Sequence, residues 1–388
     1  MPMNNRSVYS ADHELFRQTA RRFYREELEP HIERWEDEGI IPRELWRKAG
    51  AQGLLCCGIP EAYGGPGGDF YYNMISSEEI GYAIGGGSCS FALQSDITAY
   101  YLLHHASEAL KQRWLPGMVS GEIISAIAMT EPGAGSDLQG TRTTAVRDGD
   151  HYVINGTKRF ITSGQNSSVV IVTAKTDEAL RHKGISAFIV EKGTPGLTVG
   201  HVEDKMGLRA SDTTDLIFED CRVPVENMLG EEGQGFAIAM TGLDGGRIGI
   251  AAQSVGVARA SLDEAVKYAK QREQFGQSIS KFQGLRWMVA DMATEIEAAR
   301  QLVLSAAAMK DRGEPHSQQA SMAKLFASEM VQRVTGKAIQ IHGGYGFTKD
   351  YPVERLYRDA RVFTIYEGTS EIQRIVISNH VFKDKRQS

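Results

Sequence analysis

HYVINGTKRFITSGQNSSVVIVTAK, residues 151–175, alternates β-branched or aromatic residues with polar ones and is broken by SGQN, the pattern of strands joined by a turn. The texture extends through ISAFIVE (185–191), LTVGHV (197–202) and TDLIFED (214–220), with turn chemistry at DGD (148–150) and GTPG (193–196). An antiparallel β region over 124–235 is the expectation. On both sides the apolar period changes to that of helices. From Asp12 to about Gly53, Leu15, Phe16, Thr19, Phe23, Leu28, Ile32 and Trp35 recur at three- and four-residue steps. A glycine- and proline-rich break, PEAYGGPGGD (60–69), precedes helical runs over 73–84 and 92–120. After Gly235 the helical period persists over 236–271, 281–311, 318–341 and 370–382. The order helix, sheet, helix predicts an α+β fold, mainly α, with an N-terminal helical domain (1–123), a central β domain (124–235) and a C-terminal helical bundle (236–388) whose alanine-rich faces suit self-association.

With 388 residues and 41% hydrophobic content, the chain is long enough for a large core. A net charge of −6 and the lack of any dense Lys/Arg run exclude a general nucleic-acid field. No apolar stretch approaches a membrane span, and MPMNNRSVYS lacks a signal-peptide core, so a cytoplasmic location is expected, or the mitochondrial matrix for a processed eukaryotic chain. The four cysteines, Cys56, Cys57, Cys89 and Cys221, form no CxxC and predict neither disulfides nor a metal site.

Several motifs carry chemistry, each with a plain structural alternative. MTEPGAGSD (129–137) leaves backbone amides free for a ligand, and reads equally as a turn between domains. In GTKRFITSG (156–164), Phe160 and Thr162 on one side of a strand offer an aromatic plane beside a hydroxyl, or else core and surface residues of a sheet. Asp244 and Arg247 of GLDGGRIG (242–249) share a face at an expected helix start, where they grip a ligand or form a local ion pair. REQFG (272–276) and QIHGGYGF (340–347) close helices, with Arg272 suited to a phosphate and His342 to a structural role. In IYEGTSEIQR (365–374), Glu367 is a carboxylate that either abstracts a proton or serves the start of the last helix, where Thr369 or Ser370 is the N-cap.

In their order and spacing, MTEPGAGSD, GTKRFITSG, KMGLRASDTTDLIFEDCRVPVENMLG, LDGGRIG, KQREQFG, QIHGGYGF and IYEGTSEIQR resemble the acyl-CoA dehydrogenase family over nearly the whole chain. The resemblance implies a homotetramer with one FAD per subunit and a C-terminal four-helix bundle. It also implies α,β-dehydrogenation of a fatty or branched acyl-CoA to trans-2-enoyl-CoA in fatty acid β-oxidation or related lipid metabolism. Electrons would pass to an electron-transferring flavoprotein.

By position, Glu367 resembles the family's catalytic base. Ile127, Met129, Thr130, Gly135, Ser136, Phe160, Ile161 and Thr162 match flavin-binding positions, with Phe160 where a Trp is common. Arg272, Phe275, Gln283, Gln340, Gly343 and Gly344 resemble residues that reach the FAD of a neighbouring subunit, and Thr369 and Glu371 contact their own. Ser136, Asp244, Arg247, Tyr366 and Gly368 match acyl-CoA contacts. Some long-chain and isovaleryl members carry the base near LDGGRIG, but Gly245 and Gly246 stand there, so Glu367 is the carboxylate in position. The N-terminal half resembles the long-chain branch, leaving acyl length open. An oxidase returning electrons to oxygen, or a non-catalytic relative, are the alternatives that the same motifs allow.

Overall fold

In the computed structural model, which describes residues 8–383, helices flank a central eight-stranded sheet. The N-terminal part comprises α1 (Ala11–Glu27), α2 (Ile32–Glu38), α3 (Arg43–Ala51), α4 (Phe70–Tyr82), α5 (Ala99–His105) and α6 (Glu108–Ser120). A π-helical turn, Leu93–Thr98, runs directly into α5. Ser10 caps α1 with a capping box completed by His13, and Asp69 caps α4 after the Pro/Gly break. The inward face of α1 is set by Ala20, Phe23 and Tyr24, while Leu15 points to solvent, against the apolar pattern expected for it. All but the last three residues of the N-terminal stretch read above for a signal peptide lie outside the described residues.

The central sheet contains β1 (Ser125–Ala128), β2 (Thr144–Asp148), β3 (His151–Thr162), β4 (Val169–Lys175), β5 (Ile185–Glu191), β6 (Leu197–Val202), β7 (Thr213–Pro224) and β8 (Met228–Leu229). Its order is β6-β7-β3-β2-β4-β5-β8, with β1 paired to β4. Most pairs are antiparallel, but β1 lies parallel to β4 and β2 meets β4 in parallel at Thr144 and Lys175. These two parallel contacts stand inside the expected, mainly antiparallel sheet; they arise because the chain between β1 and β4 runs out and back through the β2–β3 hairpin, so β4 points the same way as β1 and β2, which alternation within a strand does not reveal.

The C-terminal helices are α7 (Gly235–Gln271), α8 (Gln283–Asp311), α9 (Ser317–His342), α10 (Val353–Ala360) and α11 (Ser370–Val381). A small hairpin, β9 (Glu273–Gln274) and β10 (Gln277–Ser278), carries Phe275 at its tip. Helices α7, α8 and α9 share one apolar core rich in alanine with parts of α4 and α10. Buried Glu78 and Glu79 of α4 bind Arg259 of α7 (2.6 Å), Arg300 of α8 (2.8 Å) and Arg17 and Arg21 of α1 (2.9 and 2.7 Å), so the two helical regions share one ionic knot. The sheet is tied in by Ser90 Oγ to Ser163 Oγ (2.7 Å) and by the Leu208 amide donating to Asp359 on α10 (2.7 Å). Among the described residues no helix is long and apolar enough to cross a membrane. All four cysteines are buried and unpaired.

Candidate active site

The segment after α10 winds through a short 3-10 turn and enters α11 at IYEGTS. Thr369 is the N-cap, its Oγ1 accepting from the Ile372 amide at 3.3 Å. Capping is therefore done by Thr369, and the Glu367 side chain is left for another use. Glu367 and Gly368 both adopt left-handed backbone, with φ of 52° and 86°. For Glu367 that conformation is strained. Two buried side chains hold it: Gln373 Nε2 donates to the carbonyls of Glu367 (3.2 Å) and Gly368 (2.9 Å), and Lys324 Nζ of α9 donates to Gly368 O at 2.8 Å.

The turn sends the Glu367 carboxyl inward against α7. A Cβ on Gly246 would lie 2.5 Å from Glu367 Oε2 and 2.7 Å from Ile97 Cδ1, so only glycine leaves room for the acid. Oε2 is enclosed and has no hydrogen-bond partner among the described residues. Burial raises the Glu367 pKa from 4.5 to about 7; the Lys324 ammonium opposes the rise, Asp96 adds to it and Arg247 opposes it.

Asp244 and Arg247 do not begin a helix; they lie inside α7, which starts at Gly235. Glycines that read as a helix start in sequence are instead places of close approach. Arg247 Nη1 donates to Asp244 Oδ1 at 2.7 Å, and Ser317 Oγ donates to the same oxygen at 3.1 Å. The buried Arg247 Nε remains without a partner. Glu367, Tyr366, Gly368, Asp244 and Arg247 are thus brought to one region, with Tyr366 stacked on Phe363 at 5.7 Å.

On the sheet side, β3 is bulged between Lys158 and Ile161, and Phe160 has φ 57°; the alternation resumes there, with Phe160 exposed, Ile161 buried and Thr162 half-buried. Phe160 is 56% exposed, which excludes a core role, and Arg159 lies over its ring at 5.1 Å. Ile161 turns its side chain into the sheet core and has only backbone to offer a ligand. Gly133 and Gly135 have nothing within 4 Å of where a Cβ would stand, so the 129–137 loop presents open backbone. Ser136 is exposed on the same loop. The loop is anchored by a pair not foreseen from sequence: buried Lys158 Nζ contacts Glu131 Oε1 (2.8 Å) and Met129 O (3.1 Å), while Glu131 accepts from the amides of Arg142 (2.6 Å) and Thr143 (3.0 Å).

A separate cleft of about 450 Å³ lies at the far end of α7, lined by Tyr268, Arg272, His342, Gly343, Gly344 and Tyr345 among others. Arg272 caps α7, and Gly343 at φ 60° ends α9. His342 is bonded through Nδ1 to Ala338 O (2.8 Å) and stacked on Tyr268 at 4.3 Å, while its Nε2 has no partner among the described residues. Gln340 is exposed one turn before, and Gln283 opens α8. Arg272 stands about 37 Å along α7 from Arg247, so these residues are not brought to the Glu367 region of their own chain. Glu371, in the first turn of α11, is exposed, and its carboxyl is held below the usual range by backbone hydrogen bonding. No cluster able to hold a metal occurs among the described residues.

Sequence reasoning also missed Lys324, Gln373 and Asp96. A lysine inside the alanine-rich MAKLFAS stretch was the available signal for the first.

Sequence profiles described as the N-terminal, middle and C-terminal domains of acyl-CoA dehydrogenase match residues 10–122, 126–221 and 233–382. The chain is 48% identical to the short-chain specific acyl-CoA dehydrogenase of Clostridium acetobutylicum, over 96% of this chain and 98% of the relative. It resembles the solved butyryl-CoA dehydrogenase of Megasphaera elsdenii (TM-score 0.93, 42% identity, 97% and 99% of the two chains). It also resembles a chain from the structure reported as "Electron transferring flavoprotein of Acidaminococcus fermentans: Towards a mechanism of flavin-based electron bifurcation" (TM-score 0.95, 46% identity, 99% and 100%).

Proposed function

Because the chain belongs to the acyl-CoA dehydrogenase family, FAD-dependent oxidoreductases acting on CH–CH bonds, we propose that it dehydrogenates a short straight or branched acyl-CoA to the trans-2-enoyl-CoA, with Glu367 as the base. The observation that carries this reading is the enclosed Glu367 Oε2, unpartnered against Gly246, with a pKa raised to about 7 by burial. A carboxylate so placed is a strong enough base at neutral pH to take an α-proton and has no competing hydrogen bond to give up.

The residues fit a bound flavin. Phe160 is exposed beside half-buried Thr162, and open glycine backbone at 133 and 135 lies on the neighbouring loop. Thr130 and Thr162 would donate to the ring system, Phe160 would stack near it, and the 129–136 backbone would follow its edge. When bound, FAD supplies the acceptor for the β-hydride. The Glu367 amide bonds no acceptor among the described residues and would donate to the thioester carbonyl, where charge develops as the α-proton leaves. Asp244, Arg247 and Ser136 would hold the pantetheine portion, and Tyr366 and Gly368 would border the thioester.

Arg272, Phe275, Gln283, Gln340, Gly343 and Gly344 would serve the FAD of a neighbouring subunit, and Thr369 and Glu371 their own, within a homotetramer. Support comes from the length of α7 and from the exposed aromatics Phe275, Trp287 and Phe347 on that side of the chain. An electron-transferring flavoprotein would reoxidise the enzyme, in keeping with the source of the Acidaminococcus fermentans chain.

The test is anaerobic mixing of the yellow protein with acyl-CoAs of graded length and branching. Bleaching is expected, fastest with short acyl groups. A protein that binds no FAD, or whose flavin no acyl-CoA reduces, sinks the proposal.

A further inference from the structure

We propose that two opposed buried charges, Lys324 on α9 and Asp96 on the π-helical turn, are positioning residues that bracket Glu367 and set the pH at which it becomes competent. The inference rests on Glu367 being the base. Lys324 is fully buried, and its ammonium reaches the Gly368 carbonyl at 2.8 Å, next to the strained peptide that aims the Glu367 side chain. Asp96 is also buried. Its Oδ1 accepts from Asn73 Nδ2 at 2.7 Å and its Oδ2 from Ser77 Oγ at 3.4 Å.

Asp96 and Glu367 approach the same turn of α7. The position a Cβ would take on Gly245 is 3.1 Å from the Asp96 carbonyl, and the one on Gly246 meets both Glu367 Oε2 and Ile97, the residue after Asp96. The Asp96 carboxylate itself lies against Gly249, one helical turn further. The π-helical geometry from Leu93 to Thr98 is what presents Asp96 and Ile97 to this glycine row, and such turns recur where a function demands an irregular helix.

Other charged and titratable groups face the pair, and only Lys310 directly opposes one of its members, Asp96. On α7, Arg247 is answered by Asp244 at 2.7 Å. From α8, Lys310 faces Asp96 and Asp244, its ammonium 4.4 Å and 4.7 Å from the Phe70 and Tyr100 ring centres. Tyr101 of α5 and Tyr366 are neutral phenols whose pKa values are pushed up by burial. Glu371 and Glu329 act on Lys324 from farther out. Neither Lys324 nor Asp96 forms an ion pair within 4.0 Å with a side chain among the described residues; Lys310 offsets part of the Asp96 charge from a longer range, and the rest acts on the buried base. Burial lowers Lys324 to about 8 and raises Asp96 to about 7, which places their titrations beside that of Glu367 and couples them.

Opposite signs give a test that general damage does not mimic. The pH dependence of kcat/KM for one bleaching acyl-CoA would be measured in the holoenzyme, in Lys324→Met, in Asp96→Asn and in the double variant. Removing the cation raises the base's pKa, so the acid limb of Lys324→Met moves to higher pH; removing the anion moves that of Asp96→Asn to lower pH, each by about half a unit or more. The double variant returns toward wild type. Should Lys324→Met lose FAD, Lys324→Gln keeps a donor for Gly368 without the charge and must still shift upward. Limbs that stay in place, or that move the same way in both single variants, overturn the proposal, including where rates fall equally at every pH. Turnover retained by Glu367→Gln would instead refute the base assignment itself.

Discussion

Glu367 is unfavourable to the fold in proportion to its usefulness. Its pKa rises from 4.5 to about 7, chiefly by burial, so the folded protein prefers the protonated acid. The sign follows: no penalty exists below the unfolded value, and one grows as pH climbs from 4.5 through 7, reaching on the order of 1–3 kcal/mol above it. Glu367→Gln is therefore expected to abolish flavin bleaching, to retain FAD, and to raise the thermal midpoint by about 1–3 °C at pH 8 while changing it little at pH 5. Differential scanning calorimetry of the yellow protein at the two pH values checks this, and an equal fall at both would contradict the buried-charge account. At this scale the sequence was legible only in part. The string IYEGTSEIQR located the acid, but local spacing left capping and catalysis open, because an N-cap is recognised by which oxygen meets which amide. Thr369 makes that bond. Lys324 and Asp96 lie 43 and 271 residues from Glu367 in the chain and meet it only through packing, which no local pattern encodes.

At the scale of the element, α7 shows why glycine carries two meanings. Six glycines stand in its 37 residues, each costing about 1 kcal/mol of helix propensity relative to alanine. Read in sequence, LDGGRIG looked like a helix start because glycines interrupt helices. Packing reverses that reading: at Gly242 a Cβ would strike the Tyr101 ring, at Gly246 the Glu367 carboxyl, and at Gly249 that of Asp96. The bulge beside Phe160 was not foreseen for a related reason, since it is set by pairing with the partner strand β7 and leaves little trace in the alternation of β3 itself. For Gly246→Ala, the new methyl would stand 2.5 Å from Oε2, so the base must turn away. The rate of bleaching should fall at least tenfold, a loss of about 1.4 kcal/mol of transition-state stabilisation, while FAD content stays near wild type because none of the flavin contacts proposed above lies on this turn of α7. Rapid-mixing spectroscopy separates the two, and an unimpaired rate would mean that the carboxyl is not confined by α7.

The order of helical, sheet and helical regions was legible across the whole molecule, since period alone separates them. What joins them was not. The Ser90–Ser163 bond, the Leu208–Asp359 bond and the bridge from Glu36 on α2 to Arg358 on α10 (2.8 Å) link residues far apart in sequence. The same scale decides whether one chain can complete its own site. Arg272 and the glycines at 343 and 344 stand about 37 Å along α7 from Arg247, at the opposite end from the base. If each site draws Glu367 from one subunit and Arg272 from another, two inactive variants should rescue each other. Arg272→Glu alone is expected to lose most of its FAD by placing a carboxylate beside the cofactor phosphates, and Glu367→Gln alone to remain yellow and inactive. In a mixed assembly of the two, the sites that pair Glu367 from the Arg272→Glu chain with Arg272 from the Glu367→Gln chain are intact. Co-expression with two affinity tags, purification of the mixed species and an anaerobic bleaching assay measure this. Activity well above either parent, at most about half of wild type per subunit pair, is the expected result. Mixed assemblies as inactive as the parents would show that the site is completed within one chain.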